Sequence, residues 1–493
     1  MSDLLLARAR RLTDPAPVDV LLRDGRVAAI GPTGTLDAPG AERVDLDGRT
    51  LMPGLWDQHT HLTQWALARN RLDLSGATSA AQAVRLVADR LAQDPPPTGT
   101  ALVGQGFRDG LWPDVPSAAL LDAVAGPTPV VLVSGDLHCS WSSTAGLRFL
   151  GVETHPTGVL RESEWLPIMG GIDRVDDDVA DALVADATRH AAARGVVGVV
   201  DLEIADNLVA WRRRATAGDP AVRIRAGVWE QHLDAVLAEG LRTGDPLTAG
   251  GLVTQGPLKV VTDGSLNTRT AYCHDPYPGM LGRTACGVLS VPTDHLVRLM
   301  AAVTRRGFTC AIHAIGDAAN TLALDAFAAT GARGTIEHAQ LLTWADVERF
   351  AALGVVAGVQ PEHAMDDRDV ADRYWAGRTD RAFAYGALHR AGVRLALGSD
   401  APVAPLDPWD AIDAAVTRTR EGREPWHPEQ VVDLDVALAS SVDEQPLGLR
   451  VGAPADLAVL DEDPAARLTA TGSVRGMPVA GTLVAGRWTH RTV

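Results

Sequence analysis

Residues 307–341 read GFTCAIHAIGDAANTLALDAFAATGARGTIEHAQL, and this stretch decides the fold. Its two apolar runs, FTCAIHAI and GTIEHAQ, have the length of buried strands, and the segment between them, rich in alanine and leucine, predicts a helix. Gly331 lies where such a helix commonly ends before the next strand. The stretch therefore predicts a strand–helix–strand unit, the building block of a parallel sheet.

The same pattern recurs on both sides of this unit. Six further segments read as short buried strands: TLMPGLWD at 50–57, GVVGVVDLEI at 195–204, AVRIRAGVWE at 221–230, GPLKVVTDG at 256–264, GVVAGVQPEH at 354–363 and VRLALGSDAP at 393–402. Eight strands that alternate with helices predict an α/β fold of the (β/α)₈ TIM-barrel type. An open, doubly wound sheet is the alternative.

The two ends of the chain carry a different pattern of short strands and turns. VDVLLRDGRVAAIGP at 18–32 alternates around an Asp-Gly turn, which indicates a hairpin, and the C-terminal segments PADLAVLDEDP and GTLVAGRW are similar. We predict one small β-sandwich domain from residues 1–52 and 447–493, because a lone hairpin is marginal in water. Two independent ribbons are the alternative. The barrel then spans 53–446, with an insertion after its first strand, at about 66–169, that covers the barrel mouth.

Composition and charge narrow the possible partners. The 493 residues include 45 basic and 62 acidic side chains, a net charge of −17, which disfavours nucleic acid and anionic membranes as partners. The four cysteines form no C-x-x-C pair, and no apolar run is long enough to cross a membrane or to serve as a signal peptide. We therefore expect a cytoplasmic protein that acts on a small molecule. The sequence leaves a homo-oligomer open.

Histidines close several of the predicted strands. Barrel enzymes place their chemistry at the carboxyl ends of the strands. His59 and His61 follow the first strand, and residues i and i+2 of an extended segment project to the same face. His313 and His338 close the fifth and sixth strands. Four imidazoles at one mouth suit zinc or a similar divalent ion. The alternative is that they are loop histidines and packed strand-end histidines.

Two charged residues belong to the same strand ends. Asp400 closes the eighth strand, where it is either a turn-forming cap or a metal ligand and general base. Lys259 lies inside an apolar strand, and a buried lysine is costly unless it is paired or chemically changed. Its amine either forms a salt bridge, for example to Asp263, or has condensed with carbon dioxide to a carbamate that bridges two metal ions.

The set H-x-H, Lys, His, His and Asp, in this order and at these strand ends, resembles that of the amidohydrolase superfamily. The resemblance covers nearly the whole chain. More narrowly, SGDLHCSWSSTAGL at 134–147, PTGVLRE at 156–162 and LKVVTDGSLNTRTA at 258–271 are similar to the amidohydrolase 3 family, the YtcJ-like and N-substituted formamide deformylase group. That group usually has an asparagine where this chain has Ser143.

The resemblance implies a ligand set and a second set of substrate contacts. The implied ligands of about two divalent ions are His59, His61, Lys259, His313, His338 and Asp400. The candidate substrate-binding residues are His138, Arg161, Glu162, Asp263 and Arg269.

The implied reaction is hydrolysis of a non-peptide carbon–nitrogen bond by metal-activated water, with zinc as the expected metal and N6-carboxylation of Lys259. Amide, formamide and cyclic amide substrates fit this scheme. Two alternatives stay open: an isomerase or decarboxylase that uses the same site, and a non-catalytic metal-binding protein.

Overall fold

The structure is a computed structural model of the chain. It describes residues 3–12, 14–69, 71–74, 76–107, 109, 112–134, 139–161, 164–165, 167–168, 171–172, 175–266, 269–443 and 446–493. The chain divides into two compact units, one formed by residues 1–62 and 188–493 and the other by residues 63–187.

The strands are numbered in chain order. The N-terminal segment contains β1 (Leu4–Arg11), β2 (Asp14–Arg23), β3 (Arg26–Pro32), β4 (Glu42–Asp45), β5 (Thr50–Pro53) and β6 (Leu55–Thr60). The second unit contains β7 (Leu72–Asp73), β8 (Leu102–Phe107), β9 (Val130–Ser134), β10 (Cys139–Ser142) and β11 (Val159–Arg161). The rest of the chain adds β12 (Val196–Asp201), β13 (Arg223–Trp229), β14 (Val253–Val261), β15 (Cys310–Ala314), β16 (Gly334–His338), β17 (Val356–Val359), β18 (Leu395–Leu397), β19 (Leu457–Leu460), β20 (Val479–Val484) and β21 (Arg487–Arg491).

The helices alternate with these strands. They are α1 (Leu62–Ala68), α2 (Ala80–Gln93), α3 (Ala118–Ala125), α4 (Thr144–Phe149), α5 (Asp177–Ala192), α6 (Asn207–Ala215), α7 (Glu230–Ala238), α8 (Thr293–Thr304), α9 (Asp317–Thr330), α10 (Trp344–Leu353), α11 (Pro361–Tyr374), α12 (Tyr385–Arg390), α13 (Pro408–Thr417), α14 (Leu434–Ser440) and α15 (Pro464–Thr471). Within the described ranges, no helix is both long and apolar enough to span a bilayer.

Eight parallel strands form the predicted barrel. They pair in the order β6, β12, β13, β14, β15, β16, β17 and β18. The first strand meets the segment that follows the last strand: the Asp400 amide donates to the His59 carbonyl at 2.7 Å, and the His61 amide donates to the Ala401 carbonyl at 2.9 Å. The (β/α)₈ prediction is confirmed, and each of the eight predicted strand segments overlaps a barrel strand. The first segment, at 50–57, covers only the start of β6 and also includes β5, which belongs to the terminal sheet.

The two chain ends form one domain. β1 pairs with β2, β4 and β5, and β5 pairs antiparallel with β19, so that Leu51 lies opposite Val459. Both ends contribute to one buried apolar core that includes Leu6, Val20 and Leu483. This core explains why the hairpins at the two ends combine instead of forming separate ribbons. The predicted β-sandwich domain built from both termini is confirmed.

The second unit folds around a sheet of its own. Strands β7 to β11 pair in sequence order, in parallel from β7 to β9 and antiparallel from β9 to β11. Phe107, Leu121 and Trp141 are fully buried in its core. The insertion after the first barrel strand is therefore a compact α/β unit.

Candidate metal centre

The barrel brings the six predicted ligands to one end of the parallel sheet. His59 lies in β6, Lys259 in β14, His313 in β15 and His338 at the last position of β16, and Asp400 follows β18. His61 follows β6 directly. Because all eight strands run in the same direction, these positions share the carboxyl end of the barrel.

The side chains of this group lie within a few ångströms of one another. His59 Nε2 is 3.3 Å from Lys259 Nζ and 3.4 Å from Asp400 Oδ1, and His61 Nε2 is 3.3 Å from the same Asp400 oxygen. The ring centroid of His338 is 5.0 Å from that of His59 and 4.4 Å from that of His313. One potential ligand atom from each of His59, His338 and Asp400 falls within a single 4.8 Å cluster.

Several buried nitrogens in this cluster have no hydrogen-bond partner. His61 Nδ1, His313 Nε2 and His338 Nδ1 are buried, and none of them makes a hydrogen bond within the described part of the chain. A buried polar atom left in this state costs roughly 1–3 kcal/mol. Imidazole nitrogens and carboxylate oxygens are ligands that zinc and similar divalent ions accept. The residues present therefore fit a divalent cation.

The backbone is strained at two of these positions. His338 has φ of +74° and Asp400 has φ of +57°, in the left-handed region that L-residues rarely adopt. Such conformations cost about 1–3 kcal/mol each and cluster at functional sites. At His338 the left-handed conformation interrupts the alternation of the strand, so that consecutive Glu337 and His338 side chains both reach His59.

Burial favours the neutral form of His313 and His338. Desolvation, followed by the charge of Lys259, lowers the pKa of His313 to about 3. Desolvation and the neighbouring His313 hold the pKa of His338 well below its usual range. Neutral imidazoles have the free lone pairs that metal binding requires.

Asp400 remains a carboxylate in the same environment. Burial alone would raise the pKa of Asp400, but the neighbouring His59, His61 and His338 outweigh this effect and hold that pKa well below its usual range. The cluster therefore contains an anionic ligand, which would offset part of the charge of a divalent ion.

Lys259 is the only lysine in the chain, since every other basic residue is arginine. Its side chain is buried, with 2% exposure, and desolvation lowers the pKa of its amine. The structure does not show the alternative salt bridge to Asp263. The Asp263 carboxylate instead accepts hydrogen bonds from the amides of Tyr272, Ile315 and Gly316 at 2.8–3.0 Å.

The predicted substrate-binding residues do not form one cluster as the predicted metal ligands do. Asp263 is fully buried and lies 3.4 Å from His313 Nε2, which favours a positioning role. Arg269 is exposed, and its guanidinium lies 5.4 Å from the ring centroid of Tyr374. In the second unit, Arg161 forms an ion pair with Asp109 at 2.5 Å.

The remaining candidates are in the second unit. His138 and Glu162 lie outside the described residues. Ser143 is described: its hydroxyl oxygen accepts hydrogen bonds from the amides of Gly146 and Val130. It caps α4, which is a structural role.

Glu337, His363 and Gln360 contact the predicted ligands but are not among the sequence-predicted site residues; Gln360 Nε2 lies 3.4 Å from His59 Nδ1. Glu337 Oε2 lies 2.7 Å from His59 Nδ1. The His363 ring is stacked on His338 with an interplanar angle of 11°, and its Nε2 is 3.8 Å from Asp400 Oδ2. Glu337 and His363 carried a signal in the sequence. Glu337 is a charge inside an apolar strand, and His363 follows the seventh strand as His313 closes the fifth.

The parallel barrel and the polar cluster at its carboxyl end define the class of the protein. It is a metal-dependent hydrolase of the amidohydrolase superfamily.

The chain belongs to the amidohydrolase family, whose sequence profile matches residues 42–490. It is 28% identical to the putative amidohydrolase YtcJ of Bacillus subtilis (strain 168), over 77% of this chain and 76% of that protein. It is 26% identical to the N-substituted formamide deformylase of Arthrobacter pascens, over 99% of this chain and 98% of that protein. The predicted resemblance to this group is confirmed.

A solved structure agrees with this assignment. An uncharacterized metal-dependent hydrolase from Pyrococcus horikoshii OT3 matches with a TM-score of 0.78 and 25% identity, over 94% of this chain and 98% of that one.

Proposed function

We propose that the protein hydrolyses a non-peptide carbon–nitrogen bond, in an amide, formamide or cyclic amide, to a carboxylic acid and an amine. The observation that carries this proposal is the convergence of buried, partnerless imidazole nitrogens with the Asp400 carboxylate at one barrel mouth. The similarity to a formamide deformylase over 99% of the chain supports the choice of bond.

We propose that His59, His61, Lys259, His313, His338 and Asp400 hold about two divalent ions, with zinc the expected metal. Lys259 would serve as a carbamate. Its neutral amine, favoured by burial, bonds through nitrogen to the carbon of carbon dioxide and releases one proton, which leaves an anion with two oxygen ligands. Arginine cannot take this role, because its guanidinium stays charged in proteins.

A divalent ion bound here would lower the pKa of a bound water molecule to about 7 and polarise a carbonyl oxygen. Asp400 accepts a proton from the water whose oxygen bonds to the carbonyl carbon. It then delivers that proton to the nitrogen as the carbon–nitrogen bond breaks. The neutral imidazoles hold their lone pairs towards the centre and do not compete for this proton.

Substrate recognition is a separate part of the proposal. His138, Arg161, Glu162, Asp263 and Arg269 remain predicted substrate contacts. Replacing His138 or Glu162 by alanine is expected to change kcat/KM and to leave the metal content unchanged. Kinetics identical to those of the wild type on a turned-over substrate would assign both residues to structural roles.

The deciding experiment is a turnover assay of the metal-loaded protein on a panel of N-substituted formamides, linear amides and cyclic ureides. We expect equimolar acid and amine products from the formamides and linear amides and a single ring-opened acid from the cyclic ureides. Chelation should abolish turnover, and zinc should restore it. A product of unchanged composition would identify an isomerase, and release of carbon dioxide would identify a decarboxylase. Bound metal without any turnover on the panel would contradict the proposed bond class.

A further inference from the structure

We propose that Glu337 positions His59 for metal binding by holding its Nδ1 and so directing its Nε2 lone pair into the centre. This inference rests on the metal site of the proposed function, but not on the identity of the substrate.

The hydrogen bond between the two residues fixes the tautomer of His59. Glu337 Oε2 lies 2.7 Å from His59 Nδ1, and both side chains are almost fully buried, with 3% and 1% exposure. A carboxylate only accepts hydrogen bonds, so Nδ1 carries the proton and donates. Nε2 is then left with its lone pair, and this nitrogen is the one that faces Lys259 and Asp400 at 3.3 and 3.4 Å.

The barrel also reserves space for the Glu337 carboxylate. Thr335 Oγ1 donates a hydrogen bond to Oε1, so each carboxylate oxygen has its own partner. Gly358 on β17 is the register partner of Glu337. A Cβ atom at Gly358 would collide with Oε2 and would lie 2.8 Å from Cδ. The neighbouring strand therefore accommodates this carboxylate only because residue 358 has no side chain.

Histidine ligands commonly donate their second ring nitrogen to a carboxylate, and loss of this partner typically weakens metal binding 10- to 100-fold. Glu337 has a second possible role, as a counter-ion to the buried Lys259 amine. The two roles predict different outcomes when His59 is absent, because only the first role acts through that residue.

Zinc affinity, measured by competition with a chromophoric chelator on the full-length protein, tests the proposal without any substrate. We expect Glu337→Leu to weaken zinc binding about 10- to 100-fold. Glu337→Gln should lose less, since an amide oxygen can still accept from Nδ1. Gly358→Ala leaves Glu337 in the chain but displaces its carboxylate, so it should also weaken binding. Glu362→Gln, at a buried glutamate that contacts arginines instead of ligands, is the matched control and should leave zinc affinity unchanged.

A double-mutant cycle with His59→Ala decides between the two roles. If Glu337 acts through His59, Glu337→Leu adds no further loss of zinc affinity in the His59→Ala background. An equal loss in both backgrounds would overturn the proposal in favour of the Lys259 counter-ion. A lower melting temperature of the metal-free Glu337→Leu variant with unchanged zinc affinity would also overturn it. Absence of amide turnover by the wild type would contradict the proposed function and leave this result standing.

Discussion

Two buried polar clusters in the barrel unit differ in whether their polar atoms have hydrogen-bond partners. The first joins the C-terminal segment to two barrel helices. Asp413 accepts hydrogen bonds from Ser473 Oγ, the Val474 amide and Arg475 Nε at 2.7–3.0 Å. Glu362 pairs with Arg475 and with Arg420. Each buried carboxylate of this cluster has its partners within the protein, as expected of a structural network.

The second cluster is the candidate metal centre, where four imidazole nitrogens have no hydrogen-bond partner in the described part of the chain: His61 Nδ1, His313 Nε2, His338 Nδ1 and His363 Nε2. Two of its residues also have left-handed backbone conformations. A cluster that leaves several converging atoms unsatisfied and strains its backbone does not stabilise the fold by itself. Buried charges that are paired within the protein join segments of the fold, whereas unpaired imidazole nitrogens that converge on one carboxylate indicate where a ligand binds.

The largest expected effect comes from removing a metal ligand. His313→Ala should lose metal and activity together, with turnover reduced about 10³-fold, the scale of a lost electrostatic stabiliser. Without metal, the variant loses the 3.4 Å contact between His313 Nε2 and Asp263 and the packing of the ring, so its melting temperature is compared with that of the metal-free wild type. Elemental analysis, kinetics and thermal melting of the same preparations check this. An active variant without bound metal would show that the unsatisfied cluster is not a metal site on which turnover depends.

Removal of Lys259 should produce a loss that small molecules partly reverse. Lys259→Ala should be inactive, and formate, acetate or propionate should restore part of the turnover by replacing the carbamate oxygens. Because Lys259 is the only lysine, ¹³C-bicarbonate should give a single lysine carbamate resonance in the wild type and none in the variant. Full activity without this resonance would exclude the carbamate.

Asp400→Asn should separate catalysis from metal binding. The amide keeps one oxygen ligand but cannot accept the proton of the attacking water. We expect most of the metal to remain and kcat to fall at least about 10²-fold. Near-wild-type turnover of a metal-loaded variant would show that Asp400 is a ligand only.

A substitution in the satisfied Asp413 cluster should lower the free energy of unfolding and leave activity unchanged. Asp413→Ala removes the acceptor of Ser473 Oγ and of the Val474 amide and one of the carboxylates that pair with Arg475, which keeps Glu362. Because Arg475 is not left unpaired, we expect a loss below the roughly 3–5 kcal/mol of a fully broken buried pair. Urea unfolding should show this loss, while zinc affinity and kcat stay at wild-type values. A variant that unfolds normally but binds zinc more weakly would show that the two clusters are coupled.

The sequence predicted the barrel and its six polar residues because both depend on local patterns. Apolar runs between helices define the strands, and residues that close parallel strands must meet at one end. Glu337 was not predicted because strand alternation places its side chain on the opposite face of the strand from that of His338. The left-handed φ of His338 brings both side chains to His59, and no sequence pattern indicates that conformation. The sheet of the second unit was not predicted because its strands are only 2 to 6 residues long and its core forms between segments that are distant in sequence.

The smallest expected effect concerns Ser143, at the position where the resemblance to the amidohydrolase 3 family predicts an asparagine. Its hydroxyl oxygen accepts hydrogen bonds from the amides of Gly146 and Val130 at 2.9 and 3.0 Å. Like the carboxylates of the Asp413 cluster, it has its partners within the protein, so we expect a structural role. Ser143→Ala removes a helix cap and should destabilise the protein by about 1 kcal/mol, while kcat/KM changes less than about twofold.

The adjacent Ser142 provides a matched control, since its buried hydroxyl has no hydrogen-bond partner among the described residues. Ser142→Ala loses no hydrogen bond and should leave stability unchanged or slightly higher. It also tests whether one unsatisfied atom, without others converging on it, is enough to indicate a site. Chemical unfolding and kinetics of the two variants give the answer. If Ser143→Ala kept full stability and lost turnover, Ser143 would be a substrate contact. If Ser142→Ala lost turnover, single unsatisfied atoms would have to count as functional.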